Sequence, residues 1–142
     1  MKFDYLKQPN FRNPNQPWIS RPLIPVRLLN GEKQIRLLAL VDSGADSSLF
    51  HASIARELGL DLRSGREQTY HGISGGNGIT AFVHSIEMQI QGAPEVVKLQ
   101  AAFTESEGVG AILGQSDFFD FYHIRFEKDK DRIEIVPGRK KG

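Results

Sequence analysis

The sequence predicts an all-β domain, mainly strand with one or two short helices. Three observations carry this. The chain has 142 residues, enough for one domain with a real core but too few for a large two-lobed molecule. From Leu23 onward the apolar residues fall in short runs with β-type spacing, separated by turn signals. Only one stretch shows helical spacing.

Taken in order, residues 1–22 hold four of the seven prolines and show neither helical nor strand periodicity, so they read as an N-terminal arm or linker. Phe3, Tyr5, Phe11 and Trp18 make this arm more aromatic than a solvated tail needs, which favours packing along the domain or on a partner chain. Within "LIPVRLLNGEKQIRLLALV", Asn30-Gly31 lies between two apolar runs and signals a hairpin, which Glu32 and Lys33 could lengthen. The second run, Ile35 to Val41, is apolar on both faces and reads as a central strand. In "SLFHASIARELGL" the i, i+4 pair Ile54 and Leu58, with Gly59 placed to end the helix, predicts a short helix over Ala52 to Leu58.

Strand patterns then resume. "ITAFVHSIEMQI" puts Phe82, His84, Ile86, Met88 and Ile90 on one face, and "VVKLQAAF" aligns Val97, Leu99, Ala101 and Phe103. "FYHIRFEKDKDRIEIV" reads as a hairpin, with Tyr122, Ile124 and Phe126 before a charged turn and Ile133 and Ile135 after it. Residues 23–136 form the expected domain, and residues 137–142 a basic tail. No internal repeat is present.

Composition narrows the function. Eighteen Lys and Arg against 17 Asp and Glu leave a net charge of +1, which gives no footprint for nucleic acid or an anionic membrane. The absence of cysteine excludes disulfides, thiolate metal sites and cysteine nucleophiles. No window approaches a membrane span, and a cytoplasmic protein is the expectation.

The chemistry concentrates in "LLALVDSGADSSLF", Leu37 to Phe50, where an apolar run ends on Asp42 and Ser-Gly follows. Asp-Ser-Gly could be a structural corner, its side chains bonding nearby backbone. A pair between Asp42 and Asp46 would need a helix to bring residues four apart together, and Gly44 after a β-type run argues against one. In the third arrangement two chains meet about a twofold axis and each contributes Asp42.

"LVDSGADSSLF" resembles the active-site strand and loop of the retropepsins, the retroviral-type aspartic proteases. "YHGISGG", Tyr70 to Gly76, is similar to their glycine-rich flap tip. "AILGQSDFF", Ala111 to Phe119, is similar to their apolar-apolar-Gly segment that leads into a helix. The resemblance implies a closed barrel-like fold with acid-protease topology and a flap hairpin, a homodimer, and hydrolysis of a peptide or protein substrate without metal or cofactor. It makes Asp42 catalytic, with Ser43 and Gly44 supporting it. Ala45, Asp46, Gly72, Ile73, Ser74 and Gly75 would contact substrate, and Ile112, Leu113 and Gly114 form the core motif. Two carboxylates about 3 Å apart cannot both ionise, so they share one proton: one acts as base on a water while the other polarises the scissile carbonyl.

Some features depart from the retroviral pattern. Gln115 stands where an Arg usually pairs with the later Asp, which leaves Asp46 to be neutralised from elsewhere, as by Arg21. The helix is longer than in retroviral members and is closer to cellular, especially bacterial, ones. A rival class is a catalytically silent domain of the same fold, used for dimerisation or peptide binding. "GISGG" also matches a serine nucleophile elbow centred on Ser74, but that motif needs a following helix where this sequence alternates like a strand. The four histidines show no metal-ligand spacing, and His84 reads as a satisfied core histidine.

Overall fold

The computed structural model describes residues 1–71 and 78–139. The Asn30-Gly31 signal becomes a hairpin between β4 (Leu23–Asn30) and β5 (Lys33–Val41), in register from Leu23↔Leu40 to Asn30↔Lys33. Asn30 closes the strand, so the two loop residues are Gly31 and Glu32, one position later than the dipeptide itself. Gly31 has φ +60°, the sign a tight hairpin needs at its first loop position and one that glycine supplies without strain.

After β6 (Leu49–His51) comes α1 (Ala52–Glu57), as the spacing predicts. His51 Nδ1 accepts the Ser53 N–H at its start, and Gly59 follows its end at φ +71°. Ala52, Ala55 and Leu58 are buried.

The later strands are β7 (Arg66–Tyr70), β8 (Ile79–Ile90), β9 (Val97–Thr104) and β10 (Ala111–Leu113). Along β9, Val97, Leu99, Ala101 and Phe103 all point into the core, as their alternation requires. The sheet runs β4-β5-β10-β6-β9-β8-β7, and β4 also pairs with β8 from Val26↔Ile90 to Leu29↔Glu87. That last pairing closes six strands, β4-β5-β10-β6-β9-β8, into a barrel and removes their free edges. β5 lies between β4 and β10, a central position.

The main core fills the barrel and continues beneath a second sheet. Phe50, Phe103, Leu99 and Leu113 pack there with Phe118, Ile133 and Ile135, all fully buried. Burying each such side chain favours folding by roughly 1.5–3 kcal/mol. A smaller cluster of Leu49, Ile79, Ala81, Val83, Ala102 and Val109 lies on the other face of β8 and β9, with Tyr70 against it. His84 is a satisfied histidine: its Nε2 lies 2.9 Å from the Leu62 carbonyl oxygen.

The N-terminal segment differs from its unpatterned reading by forming three strands. β1 (Lys2–Asp4) pairs antiparallel with β12 (Arg132–Pro137), which also pairs with β11 (Tyr122–Glu127). β2 (Leu6–Pro9) and β3 (Trp18–Arg21) form a separate two-stranded hairpin. Strands of three or four residues are too short to display a period of two, and β1 is specified by backbone pairing with residues 130 positions away. Of the expected basic tail, Pro137 ends β12 and Gly138 donates its N–H to the Phe121 carbonyl.

Candidate active site

Asp42 occupies the position its sequence context predicts, one residue beyond the end of β5. Parallel pairing with β10, through Ile112↔Leu40 and Leu113↔Val41, carries β5 to that point. The Asp42 N–H then donates to the Leu113 carbonyl at 3.0 Å. The chain turns at once. Gly44 N–H donates to Asp42 Oδ1 at 2.9 Å, and Ala45 N–H to the Asp42 carbonyl at 3.2 Å. The turn is the local bonding pattern that Asp favours, and it fixes the carboxylate's orientation. Oδ2 has no protein partner among the described residues. Asp42 is half-buried, whereas Ser43, Gly44 and Asp46 are exposed.

The returning loop is laced to the segment after β10. Gln115 N–H donates to the Ala45 carbonyl at 2.8 Å and Ser116 N–H to the Asp46 carbonyl at 2.9 Å. Gly114 N–H donates to the buried Ser48 Oγ at 3.2 Å. The two backbones cross so closely at Gly114 that a Cβ there would stand 2.4 Å from the Ser47 carbonyl oxygen. Residues 112–114 thus form the platform on which the Asp42 loop rests.

Gln115 completes the lacing. Its side-chain Nε2 donates to the Ser43 carbonyl at 2.7 Å, so the amide at the position of the usual arginine steadies the loop instead of pairing with Asp46. Arg21 makes no ion pair with Asp46; it shares a shallow depression with Asp42 and Ser43. Among the described residues Asp46 has no ion-pair partner. Sequence reasoning missed the Gln115 and Ser48 contacts, although a serine inside the apolar approach to β6 was a signal for the second.

A cleft of about 300 Å³ opens over this loop. Asp42, Ala45 and Asp46 line it together with the apolar side chains of Leu49 and Ile112 and with Tyr70 and His71. Tyr70 ends β7, which pairs with β8 up to Tyr70↔Ile79. Gly72, Ile73, Ser74 and Gly75, the expected flap residues, lie outside the described residues. Beyond them β8 is a strand, not the helix that a serine elbow at Ser74 requires. Among the described residues no group of three or more His, Asp or Glu side chains is placed to hold a metal ion.

The family model described as "gag-polyprotein putative aspartyl protease" matches residues 28–119, well over half of the chain, from the end of β4 through the Gly114 segment. The chain belongs to that family of aspartyl proteases. Comparison with curated proteins gives no match. Among solved structures, this aspartyl-protease chain is similar to a retropepsin-like aspartic protease from Rickettsia conorii, with a TM-score of 0.58 and 16% identity over 94% of this chain and 88% of that one. It is also similar to the retroviral protease-like domain of Ddi1 from Leishmania major, with a TM-score of 0.52 and 14% identity over 84% of this chain and 96% of that one. At such identities the likeness establishes the fold, a retropepsin-like barrel, and that agrees with the expectation from the sequence.

Proposed function

We propose that the protein is an aspartic endopeptidase whose working unit is a homodimer, each copy bringing one Asp42 to a shared site. The observation that carries this reading is the Asp42 carboxylate itself. It is fixed by the Gly44 N–H on Oδ1, and its Oδ2, without a partner among the described residues, lies beside a cleft that Leu49 and Ile112 also line. The 42–46 segment is a turn and not a helix, so the local route to an Asp42–Asp46 pair is absent.

With two copies of Asp42 about 3 Å apart and one proton between them, the ionised carboxylate removes a proton from a trapped water. The protonated one donates to the scissile carbonyl oxygen. Attack gives a tetrahedral diol, and proton return to the amide nitrogen releases the two peptides. Ser43 stands next to the axis, where its hydroxyl can bond its symmetry mate. Gly44 leaves room for the substrate backbone, and Ala45 and Asp46 flank it.

The test is a protein-cleavage assay with and without a transition-state-analogue inhibitor of aspartic proteases, run beside Asp42→Asn. Wild-type cleavage should be blocked by the inhibitor, and the variant should lose about 10²–10⁴-fold in rate while keeping its circular dichroism spectrum. Cleavage by Asp42→Asn at the wild-type rate would sink the mechanism.

A further inference from the structure

We propose that the β2–β3 hairpin is an arm that grips a second copy of this chain, burying Trp18 and Phe11 in the contact. This rests on the dimer reading above and adds to it the element that holds the two copies together.

The hairpin is a sheet of its own. Its four residue pairs run from Leu6↔Arg21 to Pro9↔Trp18, extended by the Asn10 N–H to the Pro17 carbonyl, and it is hydrogen-bonded to neither of the other sheets. No residue from Leu6 to Arg21 is buried. Phe11 is 92% exposed, Trp18 55% and Leu6 38%. A two-stranded ribbon without a covered apolar face is at best marginally stable in water, so this one needs a surface to lie against. The pairing puts Trp18 on one face and Leu6 on the other, which suits an element inserted between surfaces better than one laid upon a single surface.

Its placement indicates which surface. β1, immediately before it, is fixed to β12, and the Tyr5 N–H donates to the Asp131 carbonyl at 2.7 Å. At its other end only Pro22 separates β3 from β4 of the barrel. Both roots of the hairpin are therefore anchored. The root at Arg21 borders a depression of about 250 Å³ that also contains Asp42, Ser43 and the exposed ring of Phe126. If Asp42 meets its mate at a twofold axis, whatever borders Asp42 and Ser43 borders the partner as well. The hairpin is then continuous with the interface that catalysis requires, and symmetry makes the grip reciprocal.

Trp18 is the sole tryptophan, so its fluorescence reports the contact directly. Light scattering and Trp emission of the full chain are followed together over a range of concentrations. Formation of a species of twice 15.9 kDa should shift the emission to the blue and shield it from a soluble quencher. Phe11→Ser, which keeps the probe, should raise the dimer dissociation constant about 10-fold. Phe11→Ser with Trp18→Ser should raise it about 100-fold or more, with an unchanged circular dichroism spectrum.

Asp42→Asn should still dimerise with the same blue shift, so the contact and the chemistry are read separately. A dimer whose Trp18 emission remains that of a solvated indole overturns the arm and leaves the two-carboxylate reading standing. So does a double variant with the wild-type dissociation constant. A chain that cleaves peptide while strictly monomeric overturns both.

Discussion

Replacing Gly114 by alanine should destabilise the protein severely although it adds one methyl group. The reason is space alone: Gly114 has φ −116°, which any residue adopts. The added Cβ would lie 2.4 Å from the Ser47 carbonyl oxygen, 2.6 Å from its carbon and 2.8 Å from the Ala45 carbonyl oxygen, all backbone atoms that cannot rotate away. Ordinary contact begins near 3.5 Å, so relief requires a shift of about 1 Å. The strand crossing cannot shift without stretching the bonds from Gly114 to Ser48, Gln115 to Ala45 and Ser116 to Asp46. Overpacking costs about 1–3 kcal/mol, and two or three weakened hydrogen bonds add about 1 kcal/mol each. The sum, roughly 3–6 kcal/mol, is a large part of the 5–15 kcal/mol that typically holds a domain folded. Thermal and urea unfolding followed by circular dichroism should show a midpoint lowered by roughly 10–25 °C. Gly44→Ala is the control, since its nearest neighbour is Asp42 Oδ1 at 3.3 Å, and it should lose less than about 1 kcal/mol. A Gly114→Ala midpoint within about 5 °C of wild type would refute the crossing as a rigid contact.

Two further perturbations follow from named contacts. Gln115→Ala removes the donor to the Ser43 carbonyl and should lower stability by about 0.5–1.5 kcal/mol in urea unfolding; Gln115→Glu, the same size but acceptor-only, should lower it more. Equal effects of the two would show that bulk, not the hydrogen bond, matters. Burial, reinforced by the charge of Glu95, pushes the Tyr122 phenol up to about 12, and its hydroxyl finds no partner among the described residues. The folded state then keeps a proton that the unfolded chain releases from pH 10 upward, so this contribution is complete below pH 10 and is lost as pH climbs towards 12, by up to about 3 kcal/mol. Tyr122→Phe should abolish that alkaline loss and leave stability at neutral pH unchanged or raised by about 1 kcal/mol, as measured by urea unfolding at pH 7 and pH 11.

The parts of the fold legible in the sequence are those whose side chains repeat. The runs of β8 and β9 announce themselves by alternation, and α1 by Ile54, Leu58 and Gly59. Asp42 was legible because a long apolar strand ends on it. What stayed hidden depends on backbone partners far along the chain. β1 is held by carbonyls and amides of β12, and nothing in "KFD" encodes that partner. The role of Gln115 was equally obscure, because a family arginine suggests a charged partner, whereas the amide found a carbonyl. Arg21, expected near Asp46, instead borders the same depression as Asp42 and Ser43, since the Val41 N–H donates to the Pro22 carbonyl and holds that residue at the end of β5.

The β1–β12 pairing also sets an order of events during synthesis. The Met1 ammonium donates to the Ile135 carbonyl at 2.8 Å, and the Ile135 N–H returns a bond to the Met1 carbonyl. β1 must therefore wait until β12 has been synthesised. At usual elongation rates of roughly 5–20 residues per second that delay is on the order of ten seconds. Phe3 and Tyr5, which finally pack against the core, spend that interval uncovered. Closing so long a loop also makes the contact a late step in refolding, so a nascent chain halted before residue 132 should leave β1 open to proteolysis.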